Sequence, residues 1–210
     1  FSTFKDSTEL VIVNDGSKNS YTVSTVPNIF TQGYGNAIKT GIRYSTGTWV
    51  ATMDGDGQHR VRDIKRLLDF VHEFPECDMV IGDRRVKEKT FKRWLGRKIL
   101  NWTSTIFSNR WVADLNSGMR IFRRKIAFSY EPILCNHFSY TTTLTLSFLS
   151  DGRKVDWLPI RVLDRVNGTS KVRLWRDGLM TLYQIVRIGG ALRTRTLRRW
   201  WRAVPAWVYL

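Results

Sequence analysis

The sequence predicts an α/β fold: a mostly parallel sheet flanked by helices, followed by a basic, amphipathic helical segment at the C-terminus. Three observations predict it. Short β-branched apolar runs alternate with stretches of helical periodicity, a pattern that builds a sheet covered by helices. The runs stop at strong turn signals such as DGS and DGDG. One run, TWVATMD, ends in two aspartates separated by one glycine, and ligands of such sheets sit beyond the carboxyl ends of the strands.

The elements follow in order. ELVIVND (9–15) reads as a strand stopped by DGS, and YGNAIKTGIRYS (34–45) as a helix. TWVATMD (48–54) is the second strand. RVRDIKRLLDFVHEF (60–74) places Ile64, Leu67, Leu68 and Val71 at helical spacing before Pro75 ends it. DMVIGDR (78–84) is a third strand, and a basic helix covers about 92–109. GMRIFRR (118–124) and VDWLPIRVL (155–163) are further strands, with a helix over about 141–150 between them. The segment 176–202 is helical, basic and aromatic.

A chain of 210 residues can bury one sizeable core. Lys plus Arg number 34 against 18 Asp plus Glu, a net charge of +16, which points to a polyanionic partner. Nucleic acid is disfavoured. The sequence has neither zinc-finger spacing nor an RNP-type motif, and the acidic DGD edge repels phosphates unless a cation intervenes. Cys77 and Cys135 form no disulfide framework and no metal spacing, which suits a reducing compartment. No secretory signal and no initiator Met begin the chain. The longest apolar runs, such as AVPAWVYL (203–210), fall short of the roughly 20 residues of a membrane span. His59 and His137 lack ligand spacing to any partner and read as structural.

Asp54 and Asp56 are the exception in this basic chain. Two like charges so close repel one another unless a cation intervenes. Oxygen ligands select a hard ion such as Mg²⁺ or Mn²⁺. Gly55 and Gly57 permit unusual backbone angles and close ligand approach. A solvated acidic turn is the plain alternative for an isolated DGD.

The surroundings extend that reading. IVNDGS, GYGNAIKTG followed by GTWVATMDGDGQH, IGDRR, DLNSGMRIFRR and DRVNGTSK resemble, in order, the nucleotide-contacting turn, the second helix with the D-x-D strand, the strand end with its arginine, the D-x-x-S-G-x-R segment and the R-x-x-G-x-S-K signature of family 2 glycosyltransferases, which have the GT-A (Rossmann-like) fold. The matches span roughly residues 9 to 175. The last two look most like the branch that makes polyprenyl-phosphate sugars. The family opens with a strand ending in a P-x-Y-N-E-like motif that holds the nucleotide base. This chain starts at FSTFKD, just before what corresponds to the second strand. The resemblance thus implies a catalytic domain over 1–175 in which the usual first strand is not seen, either because the sequence is a piece of a longer chain or because the protein lacks a normal nucleotide pocket, and a membrane-interfacial segment over 176–210. Tyr34 stands where many relatives carry Lys.

The resemblance also implies roles. Asp15 and Gly16 would contact the base or ribose of the donor, a GDP- or UDP-sugar. Asp54 would lie beside nucleotide and metal, with Asp56 and Gln58 completing a site for Mg²⁺ or Mn²⁺. Arg84, Arg165 and Lys171 would face the phosphates of donor and acceptor, with Asp56, Arg165 and Lys171 nearest the chemistry. Ser117 and Gly118 would line the acceptor side. Arg97, with Lys98 and Asn101, lies on the basic helix where the family often contacts the acceptor phosphate.

Acceptor type follows from what a hydroxyl requires. A sugar hydroxyl needs a general base, which many relatives supply as an Asp late in the domain. The corresponding stretch, NHFSYTTTLTLSFLSDG, has no carboxylate between residues 132 and 150. A phosphate monoester, with a second pKa near ~6, is ionised at pH 7 and needs only orientation and screening. The expectation is an inverting, metal-dependent transfer to a polyprenyl phosphate. Transfer to a sugar hydroxyl and a non-catalytic nucleotide-sugar-binding relative are the alternatives. Arg193, Arg195, Arg198, Arg199 and Arg202 interleaved with Trp200, Trp201 and Trp207 suit an anionic membrane surface, approached peripherally from the cytoplasmic face.

Overall fold

The computed structural model describes residues 8–15, 25–27, 33–84, 91–108, 110–163 and 178–190. Its elements are β1 (Ile12–Asn14), β2 (Thr25–Pro27), α1 (Tyr34–Tyr44), β3 (Trp49–Thr52), α2 (Val61–Glu73), β4 (Met79–Asp83), α3 (Phe91–Ser108), β5 (Arg120–Arg123), α4 (Arg124–Tyr130), a 3₁₀ turn (Glu131–Ile133), α5 (Tyr140–Ser150) and β6 (Val155–Pro159). Residues 178–190 form a last helix, α6.

β1 and β2 pair in parallel as a two-stranded sheet, and the other four strands form a second sheet in the order β3-β5-β4-β6. β4 and β6 are parallel, whereas β5 runs antiparallel to both β3 and β4. Three of the four strands therefore point the same way, and the reversed β5 sits between two of them. That reversal matters for the site. It brings the amino end of β5 to the edge where β3, β4 and β6 have their carboxyl ends.

Strand alternation divides the core into two layers. Met79 and Ile81 of β4 and Phe122 of β5 face one side, where they pack with Leu144, Phe148 and Leu149 of α5. Val80 and Ile121 face the other, against Leu67 and Val71 of α2. The register Met79↔Phe122 and Val80↔Ile121 keeps each pair on its own face. The helical spacing predicted for residues 60–74 is thus the buried stripe of α2.

α5 is buried from Tyr140 to Leu149 although half of it is hydroxyl-bearing. Several of its hydroxyls bond back to the helix: Thr145 Oγ1 donates to the Thr141 carbonyl at 2.9 Å and Ser147 Oγ to that of Thr143 at 2.8 Å, the back-bonding available to Ser and Thr inside helices. α6 packs on α5 through Ile185 and Ile188, which meet Leu146. Both cysteines are buried and free. Among the described residues, no helix is long and apolar enough to cross a membrane.

Candidate active site

The site is built where β3, β4 and β6 end and β5 begins. β3 stops at Thr52, and the chain then turns through Asp54-Gly55-Asp56-Gly57. Only Gly57 of the two turn glycines takes a left-handed backbone, with φ 77°. Asp56 Oδ1 accepts the Gln58 amide at 3.1 Å, a side-chain-to-backbone turn that aspartate favours. Gln58 is tied to the end of the β6 segment: its carbonyl accepts the Leu163 amide at 2.9 Å and its Nε2 donates to the Leu163 carbonyl at 3.3 Å.

Asp54 is the centre of the edge. Tyr34, the first residue of α1, donates its hydroxyl to Asp54 Oδ1 at 3.0 Å. His59 Nε2 lies 3.9 Å from Oδ2, beyond hydrogen-bond reach. The third neighbour is Gly118, whose carbonyl accepts Thr52 Oγ1 at 2.8 Å. A β-carbon on Gly118 would lie 2.6 Å from the Asp54 carboxylate carbon. Burial pushes the Asp54 carboxyl up, but the His59 ring, the Tyr34 hydroxyl and the charge of Arg84 outweigh it and hold the group below its ordinary value. Asp54 is thus ionised at neutral pH. His59, read from the sequence as structural, is a neighbour of the site. Its buried Nδ1 has no partner among the described residues.

Arg84 follows β4 and reaches the loop ahead of β5. Its Nε donates to Asp114 Oδ2 at 2.8 Å and its Nη2 to Oδ1 at 3.0 Å, a bidentate pair. Asp114 is 3% exposed. Burial pushes its carboxyl up, yet the hydrogen bonds and charge of Arg84 and the Asn116 amide prevail and hold it low. The loop is fixed from beneath by Arg120, a residue of D-x-x-S-G-x-R for which the sequence reading proposed no role. Arg120 is 1% exposed. It donates to the carbonyls of Leu115, Ser117 and Thr141 and to Thr145 Oγ1. Its signal in the sequence was a charged residue directly before the apolar pair Ile121 and Phe122.

The other expected residues fall as follows. Asp15 stands at the carboxyl end of β1, in the two-stranded sheet, while Gly16, Arg165 and Lys171 lie outside the described residues. Ser117 is fully buried, with its hydroxyl toward the Met119 carbonyl at 3.4 Å, so its side chain supports the loop from inside. Asn101 Nδ2 binds the Ala113 carbonyl at 2.9 Å and ties α3 to the same loop. Arg97 is half-buried on α3, and Lys98 lies 5.8 Å over the Trp94 ring. The structure therefore brings Asp54, Gly118, Arg84 and the turn of Asp56 and Gln58 to one edge.

Among the described residues, no group of three or more His, Cys, Asp or Glu forms a metal cage. Mg²⁺ and Mn²⁺ do not require one. Mg²⁺ is commonly held by one or two carboxylates, with water and substrate phosphates filling the remaining positions. Two half-buried aspartates at a strand end, one of them ionised and clasped by Tyr34 and Gly118, fit that donor set.

The family model for glycosyl transferase family 2 matches residues 2–130. The chain belongs to that family. Among curated relatives, it is 26% identical over 150 residues to the undecaprenyl-phosphate mannosyltransferase of Micrococcus luteus, a match covering 67% of this chain and 60% of the relative. It is 28% identical over 127 residues to the polyprenol monophosphomannose synthase of Mycolicibacterium smegmatis, covering 57% of this chain and 47% of the relative. The chain thus spans about half of the length of these two proteins. A structure of glucosyl-3-phosphoglycerate synthase from Mycobacterium tuberculosis, in complex with Mn²⁺, UDP-glucose and phosphoglyceric acid, superposes with a TM-score of 0.68 at 12% identity, covering 86% of this chain and 68% of that one. The likeness shows the fold of this family 2 chain to be GT-A.

Proposed function

We propose that this family 2 chain is an inverting glycosyltransferase that moves a sugar from a GDP- or UDP-sugar to a polyprenyl phosphate at a membrane surface. The observation that carries the reading is the pairing of the D-x-D edge at Asp54 and Asp56 with α5, which is buried from Tyr140 to Leu149 and bears hydroxyls in place of a carboxylate. α5 thus offers no general base to a sugar hydroxyl. A lipid phosphate arrives already ionised. The named activities of the Micrococcus and Mycolicibacterium relatives support the same acceptor class.

In this mechanism a phosphate oxygen of the lipid forms a bond to the anomeric carbon as the bond from that carbon to the nucleoside diphosphate breaks. The bonding pair leaves with the diphosphate, no proton is transferred, and the configuration inverts. Asp54, Asp56 and Gln58 would hold Mg²⁺ or Mn²⁺, which when bound screens the departing diphosphate. Arg84 braces the loop through Asp114, and Asp15 stands on the nucleotide side. Arg165, two residues beyond the Gln58-bound Leu163, and Lys171 would supply cations to the two phosphates. Arg97 would face the acceptor.

The membrane setting is supported by α3. Phe91, Trp94, Leu95, Ile99, Trp102 and Ile106 are exposed along it, Phe91 and Trp102 at 72% and 70%. The sequence has no acidic residue between Lys89 and Ala113, while Lys92, Arg93, Arg97, Lys98 and Arg110 lie in that stretch. Aromatic and basic residues so combined suit a peripheral site on an anionic cytoplasmic leaflet. Of the C-terminal segment expected at the membrane, 176–210, only 178–190 are among the described residues. The test is transfer of label from radiolabelled UDP- and GDP-sugars to polyprenyl phosphate in vesicles. Label entering the organic phase with one donor, and lost in Asp56→Ala, is expected. Label passing only to water-soluble sugar acceptors would overturn the reading.

A further inference from the structure

Tyr34 occupies a constrained place. Its ring stacks on Phe138, with centroids 5.9 Å apart and planes 14° from parallel, and it packs against the main core cluster. The ring therefore has little freedom, and its hydroxyl is aimed at Asp54 Oδ1. The backbone of Gly118 packs against the same carboxylate, nearest to Oδ2. Asp54 Oδ1 is thus engaged by the phenol, while Oδ2 lies against Gly118 with His59 Nε2 3.9 Å away.

The chemistry of the donor decides what this clamp can do. A lysine ammonium at residue 34 could hold the same oxygen, but its charge would cancel that of Asp54 and repel a divalent cation. A phenol orients the carboxylate while adding no charge. A tyrosine hydroxyl, with an ordinary pKa near ~10, is an un-ionised donor at neutral pH.

We propose that Tyr34 is a positioning residue of the metal–nucleotide site: its neutral hydroxyl fixes one oxygen of Asp54 and leaves the other oxygen, with the full negative charge, for a divalent cation. The proposal rests on the reading of Asp54 and Asp56 as metal ligands. It assigns the phenol a purpose that a stacked core ring does not need.

The test measures binding, with the full chain. Mn²⁺ uptake is followed by electron paramagnetic resonance with UDP or GDP present, and nucleotide binding is followed in EDTA by calorimetry. Tyr34→Phe keeps the ring stack and should melt as the wild type does. Its Mn²⁺ affinity should fall about fivefold, the size of one net hydrogen bond, with nucleotide affinity in EDTA unchanged. Tyr34→Lys should lose more than about tenfold in Mn²⁺ affinity, yet bind the nucleotide more tightly in EDTA, since a cation now faces the diphosphate. Wild-type Mn²⁺ affinity in both variants overturns the proposal while leaving the metal reading intact. So does a loss of Mn²⁺ affinity in Tyr34→Phe that comes only with a lowered melting temperature. If the wild type takes up no Mn²⁺ with either nucleotide, the metal reading and the proposal fall together.

Discussion

The backbone of Gly118 lies against the carboxylate of Asp54: a β-carbon on residue 118 would stand 2.6 Å from both Cγ and Oδ1 of that aspartate. Real β-carbons do not approach so closely, so the Asp54 carboxylate, which also accepts the Tyr34 hydroxyl, would have to shift. The glycine serves space rather than backbone freedom, since it is not among the positive-φ glycines.

Gly118→Ala should therefore displace the Asp54 carboxylate. We expect Mn²⁺-dependent nucleotide binding to fall at least about tenfold. The overpacking cost to stability should be about 1–3 kcal/mol. Calorimetry with nucleotide and Mn²⁺, beside a urea unfolding curve, separates the two effects. A variant that binds Mn²⁺ and nucleotide normally would show that Asp54 has room the structure denies it.

The second prediction concerns the pair Arg84 and Asp114. Removing the arginine leaves a carboxylate that is 3% exposed without its bidentate partner. Breaking a buried pair in this way costs on the order of 3–5 kcal/mol. Since Arg84 is itself 27% exposed, the lower end, about 3 kcal/mol, is expected for Arg84→Met at pH 7. The pH dependence has a definite sign. In the wild type the folded pKa of Asp114 is depressed, so its contribution is present above the unfolded value of roughly 3.9 and is lost as pH falls through the folded value. In the variant, burial is opposed only by the main-chain amides of Asn116 and residue 84, so the folded pKa rises relative to the wild type, and the deficit is full at neutral pH and shrinks on acidification. Urea midpoints at pH 7 and pH 4 should converge. Equal gaps at the two pH values would count against this account.

A third prediction follows from Arg120. Its acceptors are three carbonyls and one hydroxyl. Lysine cannot reproduce that fork. Arg120→Lys should lose about 2–4 kcal/mol of stability, because several buried carbonyls go unpaired. Thr145→Val removes one acceptor alone and should cost only about 1 kcal/mol. Chemical unfolding of the two variants gives the order. A Thr145→Val effect as large as that of Arg120→Lys would mean the guanidinium is not what holds the loop.

Much of this was legible in the sequence, for physical reasons. The stripe of Ile64, Leu67, Leu68 and Val71 marked α2 because one face is buried and the other wet. The site edge was legible because DGD stands at a strand end amid IVNDGS, IGDRR and DLNSGMRIFRR in order; an isolated DGD would read equally as a solvated turn. Other features left no trace. β5 reverses against its neighbours through backbone pairing, and strand direction has no signature in a four-residue apolar run. α4 begins at Arg124 directly after β5, without a side-chain cap, so RKIAFSY carried no start signal and too few turns to show a period. β2 is three residues long, below any usable pattern. The Tyr34–Asp54 and Arg84–Asp114 contacts join residues 20 and 30 apart. Such pairings depend on the fold and cannot be read from local spacing.

The last prediction takes the proposed membrane face of α3 to experiment. Trp94 and Trp102 are 45% and 70% exposed on the same helix that carries Lys98 and Arg97. A soluble surface gains nothing from exposed indoles, whereas a bilayer interface accommodates them with the basic residues level with the headgroups. The two kinds of contact respond differently to salt. Attraction of Arg97 and Lys98 to anionic lipid is screened as the Debye length drops from about 10 Å at 0.1 M to about 3 Å at 1 M. Burial of Trp94 and Trp102 is not. Arg97→Gln with Lys98→Gln should therefore weaken binding to vesicles rich in phosphatidylserine by about 2 kcal/mol at low salt, roughly 30-fold, with little difference left at 1 M. Trp94→Ser with Trp102→Ser should lower binding at both salt levels. Sedimentation with the full chain reads both. Vesicle binding untouched by either pair would place the membrane contact elsewhere on the protein, and wild-type indifference to anionic vesicles at low salt would remove the peripheral setting altogether.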